Sequence, residues 1–164
     1  MKIGISGHQV ISDPSRWIWV HEQFEAILRE RCTSGEWVIG ALAVGADQLF
    51  VRTALQLGLL VETVIPCTKY ETTFVSPEEL LEYKSLLKRS SKVCTLSFET
   101  PSEDAFLAAG LHVVDHCDLL VALWNGKPAA GKGGTGDIVA YAREMRKPLI
   151  HVHSDLAQVH MVTY

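Results

Sequence analysis

The sequence predicts a three-layer α/β fold, with a mainly parallel central sheet and helices on both of its faces. Three observations predict it. Short apolar runs alternate with helix-length amphipathic segments along the 164 residues, the pattern of right-handed β-α-β units. Most of the runs are apolar without strict alternation, as strands covered on both faces are. The residues suited to chemistry follow the runs, where such a sheet places its ligand crevice.

In order, the first strand is predicted at residues 2–6, Lys-Ile-Gly-Ile-Ser, leading into Gly7-His8-Gln9. A helix follows at 15–32, where Trp17, Val20, Phe24, Ile27 and Leu28 form one buried stripe and Glu22, Glu25, Arg29 and Glu30 the wet side. The second strand, 37–44, runs into Gly45-Ala46-Asp47 and a helix at 46–57. The third, 60–66, ends in Ile65-Pro66 and precedes a helix at 77–89. A fourth strand at 92–96 leads to a helix at 103–117. The fifth, 118–124, ends in Trp124-Asn125-Gly126, and the glycine-rich turn from Gly131 to Asp137 opens a helix at 135–146. A sixth strand at 148–153 completes one domain over 1–154, leaving 155–164 as a tail that is either a loose end or an interface strand. No repeat, low-complexity tract or linker divides the chain.

Composition narrows the partners. With 48% apolar and 21% charged residues the chain reads as an ordinary folded domain. A net charge of −4 supplies no basic field for a phosphodiester backbone, so no nucleic acid partner is expected, whereas a small phosphorylated ligand is compatible. The amino terminus enters a strand without the features of a signal peptide, and apolar stretches such as 119–124 are too short to cross a bilayer. No membrane association is expected. Cys32, Cys67, Cys94 and Cys117 lack paired metal-ligand spacing and are expected as reduced thiols in the cytoplasm.

The turn from Gly131 to Gly136 is the sharpest chemical feature. Its glycines let backbone N–H groups approach an anion, and the positive end of the following helix dipole lies there. It is neither a Walker loop nor the dinucleotide Gly-x-Gly-x-x-Gly turn after the first strand.

Gly7-His8, Gly45-Ala46-Asp47, Ile65-Pro66, the strand and turn 118–126, and Gly133-Gly134-Thr135-Gly136-Asp137 with the run to Ala142 together resemble the SLOG superfamily. That group includes phosphoribohydrolases of the LOG type, DprA-like domains and nucleotide-sensing domains. The resemblance covers nearly the whole chain and implies a Rossmann-like fold with a nucleotide-related pocket. It implies a ligand-binding set of Ser6, Gly7, His8, Gly45, Ala46, Asp47, Trp124, Asn125, Gly133, Gly134, Thr135, Gly136 and Asp137. LOG-type hydrolases carry Pro-Gly-Gly-x-Gly-Thr and then a catalytic Glu. Here Lys132 stands for the Pro, Asp137 for the Thr and Ala140 for the Glu, so in a hydrolase Asp137 would have to serve, with His8 as its proton-transfer partner.

Each residue has a plainer alternative. Asp137 and Asp47 can cap helices, His8 can bond within its own turn, and Trp124 can be core. Lys132 and Lys127 are either counter-charges to a phosphate or loop lysines, and Tyr70 and Phe74 either stack on a base or pack in the core. His112 and His116 are four apart on one helix, but no third ligand is evident, and His151, His153 and His160 form no ligand set; no metal and no cofactor are expected. The sequence therefore predicts a domain that binds or senses a nucleotide or nucleoside-phosphate-derived ligand, a class that includes NAD- and ADP-ribose-like molecules. Its alternative is an N-glycosidic hydrolase or transferase acting on a nucleoside monophosphate. A homodimer is also expected.

Overall fold

In the computed structural model, which describes residues 1–164, β1 (Lys2–Gly7) lies at the centre of a seven-stranded sheet. The other strands are β2 (Trp37–Gly40), β3 (Leu60–Cys67), β4 (Lys92–Phe98), β5 (Leu119–Trp124), β6 (Leu149–His153) and β7 (Gln158–Val162). Their order is β4-β3-β2-β1-β5-β6-β7, parallel throughout except that β7 runs antiparallel to β6. From β1 the chain winds outward through β2 and β3 to β4, then crosses back to add β5 on the other side of β1. Strand order therefore reverses between β1 and β5, which opens a crevice above their carboxyl ends.

The helices are α1 (Trp17–Arg31), α2 (Ala46–Gln56), α3 (Pro77–Arg89), α4 (Glu103–His116) and α5 (Thr135–Glu144). They fall on two faces because neighbouring strand residues point opposite ways. Ile3, Ile5, Val121 and Leu123 face one core with Phe24 of α1, Phe50 of α2 and Tyr83 of α3. Leu120 and Ala122 face the other, with Val113 of α4 and Ile138 of α5. Phe24 and Phe50 meet edge to face at 5.1 Å between centroids. The central strands are thus wrapped as their apolar runs predicted, whereas no residue of the edge strands β4 and β7 is buried.

Local chemistry sets the boundaries. Helix α3 opens on a capping box in which Ser76 Oγ accepts from Glu79 N and Glu79 reaches back to Ser76 N. The first helix begins two residues later than its apolar stripe predicts, because Asp13 caps a short 3-10 turn at Pro14–Arg16. The second strand was expected to reach residue 44 but stops at Gly40. Residues 41–44 form a loop in which Leu42 takes φ 57°, held by Gln48 Nε2 donating to the Leu42 carbonyl at 3.2 Å and by Ala41 N donating to Asp47 Oδ2 at 3.2 Å. Half of the tail is regular structure: Gln158–Val162 forms β7.

Candidate functional site

The crevice is a cavity of about 990 Å³ above the carboxyl ends of β3, β2, β1 and β5, within the size range of small-molecule sites. On one side it is closed by the loop 126–134 and the first turn of α5, and on the other by the turn Tyr70–Thr73 and the loop 41–44.

The glycine-rich loop is organised from within and from α4. Gly133, at φ 85°, donates its N–H to Asp137 Oδ2 at 2.9 Å, and Gly134 N donates to the Gly131 carbonyl at 3.2 Å. Lys132 N donates to Glu103 Oε1 at 3.2 Å, while the Lys132 ammonium pairs with Asp104. The next two amides, those of Thr135 and Gly136, donate to no acceptor in the protein. Both residues line the cavity. Two free N–H groups at the positive end of a helix dipole form an anion cradle.

His8 sits between the two halves of the cavity. Its backbone is anchored by His8 N donating to the Leu123 carbonyl at 3.0 Å and its carbonyl accepting from Ala46 N at 3.2 Å. Its ring Nε2 accepts from Asn125 N at 3.1 Å. Asn125 Oδ1 in turn accepts from Lys127 N at 3.0 Å, and Trp124 Nε1 donates to the Lys127 carbonyl at 2.7 Å. Trp124 is buried in the second core and shows only an edge to the cavity.

At the far side Asp47 is almost fully buried yet lines the cavity. Burial pushes its carboxyl up to about 7, against the lowering effect of the Ala41 and Ala43 backbone N–H groups. Tyr70 stands nearby with Phe74 at 5.3 Å and Phe106 at 6.5 Å between ring centroids. Burial raises its phenol pKa, and the Asp47 charge raises it further.

Of the residues expected on the ligand, Ser6, Gly7, His8, Asp47, Trp124, Asn125, Gly133, Gly134, Thr135 and Gly136 line this one cavity. Gly45, Ala46 and Asp137 do not. Gly45 has φ 89° and a Cβ there would lie 2.5 Å from the Gln9 carbonyl oxygen, while a Cβ on Gly7 would lie 2.4 Å from that of Ala46. Small residues at 45 and 46 therefore let α2 pack closely on the turn after β1. Asp137 turns its carboxylate into its own loop, so it does not face His8 across the cavity. Of the open alternatives, Lys127 and Lys132 line the cavity, as do Tyr70 and Phe74. His112 and His116 stack at 3.9 Å on α4, and no group of three His, Cys, Asp or Glu side chains gathers to hold a metal.

Among the wall residues that escaped sequence reasoning, two carry a charge or a ring beside the glycine loop and Tyr70. Glu103 and Phe106 belong to the start of α4, where Ser102 Oγ caps by accepting from Ala105 N at 3.1 Å. The signal was present: Pro101-Ser102-Glu103 follows β4 at the same sheet edge as the other wall residues.

No family model and no curated protein matches the sequence. Solved structures do share its fold. DNA processing protein A (DprA) from Streptococcus pneumoniae aligns with a TM-score of 0.66 at 16% identity, over 92% of this chain and 49% of that one. The chain thus spans about half the length of that protein. The protein TM1055 aligns at 0.58 and 16% identity, over 90% of this chain and 71% of that one. The Moco carrier protein of Chlamydomonas rheinhardtii aligns at 0.53 and 16% identity, over 92% and 74%. At 16% identity these likenesses show the fold alone, and it is the Rossmann-like α/β fold that the motifs implied.

Proposed function

We propose that this protein binds a nucleotide or nucleoside-phosphate ligand in the cavity between β1 and β5, with the ligand's phosphate on the first turn of α5. The observation that carries this reading is the pair of N–H groups of Thr135 and Gly136, which meet no acceptor in the protein and belong to residues that line the cavity. The cavity volume of about 990 Å³ fits a ligand of this class, up to an NAD- or ADP-ribose-like molecule. A phosphate there replaces lost water with two charge-assisted hydrogen bonds.

Binding or sensing is favoured over cleavage of an N-glycosidic bond. A ribosyl cation needs a carboxylate beside it, and Asp137, which would have to supply one, is engaged with Gly133 N. The reading includes a cytoplasmic placement, supported by four free cysteines, and a homodimer, for which Val159 and Met161 on the outer strand β7 leave apolar surface exposed. No helix is long and apolar enough to cross a membrane. A mass from light scattering that stays monomeric across micromolar concentrations removes the dimer.

A thermal-shift series with nucleoside mono- and diphosphates, NAD and ADP-ribose tests the central reading. A ligand at 100 times its Kd stabilises by about 2.7 kcal/mol, a rise of roughly 5–10 °C for a domain of this size. No shift with any of them contradicts it.

A further inference from the structure

The phosphate cradle uses one end of the cavity and leaves a polar corner at the other. Tyr70 is 4% exposed, its hydroxyl has no hydrogen-bond partner in the protein, and its ring lines the cavity. Its oxygen is not sealed off from solvent, since the one sealed and unpartnered side-chain polar atom in the molecule is Arg31 Nε. The hydroxyl therefore opens on the cavity. A buried phenol without a partner is costly unless something occupies the space in front of it.

Asp47 completes the corner. It is 6% exposed, and a carboxyl has about four acceptor positions, of which the Ala41 and Ala43 amides use only part. Phe74 and Phe106 flank Tyr70 and also line the cavity, which adds aromatic surface to the corner. Such surface suits a planar polar-edged group better than a sugar, which has no π-face to stack.

The sheet sets the span. Neighbouring strands lie about 4.8 Å apart, and α5 packs on β5, two strands from β2. Asp47 stands over the end of β2, where a Cβ on Gly40 would meet its Oδ2 at 4.0 Å, and Tyr70 follows β3. The corner thus lies two to three strands along the sheet from the phosphate cradle, a lateral offset of about 10–14 Å, and both ends line the same cavity.

We infer that Asp47 and Tyr70 hold the polar edge of the ligand's nucleobase and decide which base is accepted. The inference rests on the nucleotide reading above. With the carboxyl placed to exchange hydrogen bonds with a base edge and the phenol beside it, each change of base leaves a different polar atom unpaired. Unpaired buried groups are the strongest source of discrimination such a site has.

Titration calorimetry separates the two ideas, using ribose 5-phosphate and the adenosine, cytidine, guanosine and uridine monophosphates. The wild-type protein, Tyr70→Phe and Asp47→Asn are compared, each checked for an unchanged circular-dichroism spectrum. Tyr70→Phe removes one oxygen that no protein group bonds, so its fold is expected to survive. The expected result is that one nucleotide binds wild-type protein more tightly than ribose 5-phosphate does. Tyr70→Phe weakens that nucleotide about tenfold and leaves ribose 5-phosphate within about twofold, while Asp47→Asn changes the order of preference among the bases. Equal losses for nucleotide and ribose 5-phosphate would assign the corner to the sugar and overturn the inference. So would nucleotide binding that neither substitution changes, or ribose 5-phosphate bound as tightly as every nucleotide, which leaves the phosphate site standing. Failure of all five to bind overturns this inference, and failure of the nucleoside diphosphates, NAD and ADP-ribose as well overturns the nucleotide reading itself.

Discussion

His8 Nε2 accepts a hydrogen bond from the backbone N–H of Asn125 at 3.1 Å, tying the turn after β1 to the turn after β5 across the point where strand order reverses. The bond uses the Nε2 lone pair, which favours the tautomer that carries its proton on Nδ1. Ring-nitrogen chemical shifts are expected to report the Nδ1–H tautomer; an Nε2–H tautomer contradicts this geometry. His8→Ala removes the acceptor and is expected to cost about 1 kcal/mol, lowering Tm by roughly 2–4 °C, with faster hydrogen exchange at Asn125.

Asp137 Oδ2 is engaged within its own loop, and Asp137 is not among the residues that line the cavity. Asp137→Asn keeps an acceptor for Gly133 N and is expected to leave ligand affinity near wild type. Asp137→Ala leaves that amide without its partner and is expected to cost ~1 kcal/mol, as loss of a cap does. Chemical denaturation and a binding isotherm check both variants. Binding abolished by Asp137→Asn, with the fold intact, would return the carboxylate to the ligand.

Two buried carboxyls are expected to tilt stability against pH in opposite directions. Asp47, raised by burial to about 7 from the ordinary carboxyl value of 3.8, keeps its proton in the folded protein after the unfolded chain has lost it. Its contribution therefore falls as pH rises from about 4 to 7, by on the order of 4 kcal/mol. Asp47→Asn is expected to close that gap, so that its stability relative to wild type grows across this window and is flat above it. Glu62 is the converse: burial raises its pKa, but hydrogen bonds from Lys2 and Lys92 outweigh this and hold it below its ordinary value. Its contribution is present above pH 4.5 and is lost as pH falls through the lowered folded value. Denaturant midpoints for Asp47→Asn and Glu62→Gln at pH 4, 6 and 8 check both signs; a constant offset from wild type for either variant contradicts its assignment.

How much was legible in the sequence follows from what each signal depends on. The strand β5 was readable because all six of its residues are buried and apolar, and the late glycine loop because Gly133 takes a conformation that suits glycine. The end of β2 was not, since 41–44 is as apolar as a strand and bends only because Gln48 and Asp47 capture its backbone from the next helix. The direction of Asp137 was not legible either: a carboxylate at a helix start can cap or reach outward at equal sequence cost. Tyr70 was read as either a base platform or core, and it is both buried and on the cavity wall, a combination set by how the chain turns after β3.

The phosphate cradle gives the most direct test of the account. Gly134 is the N-cap of α5 with φ −68° and ψ 167°, a conformation any residue adopts, and a Cβ there meets Ala129 Cβ at 3.0 Å, so a small adjustment admits a side chain. Gly134→Asp would cap the free first-turn amides with its own carboxylate, which favours the helix and fills the anion site with negative charge. Titration calorimetry of the tightest nucleotide against wild type and Gly134→Asp is expected to show affinity falling at least tenfold while Tm holds or rises. Undiminished affinity in a folded Gly134→Asp protein would contradict the placement of a phosphate on α5.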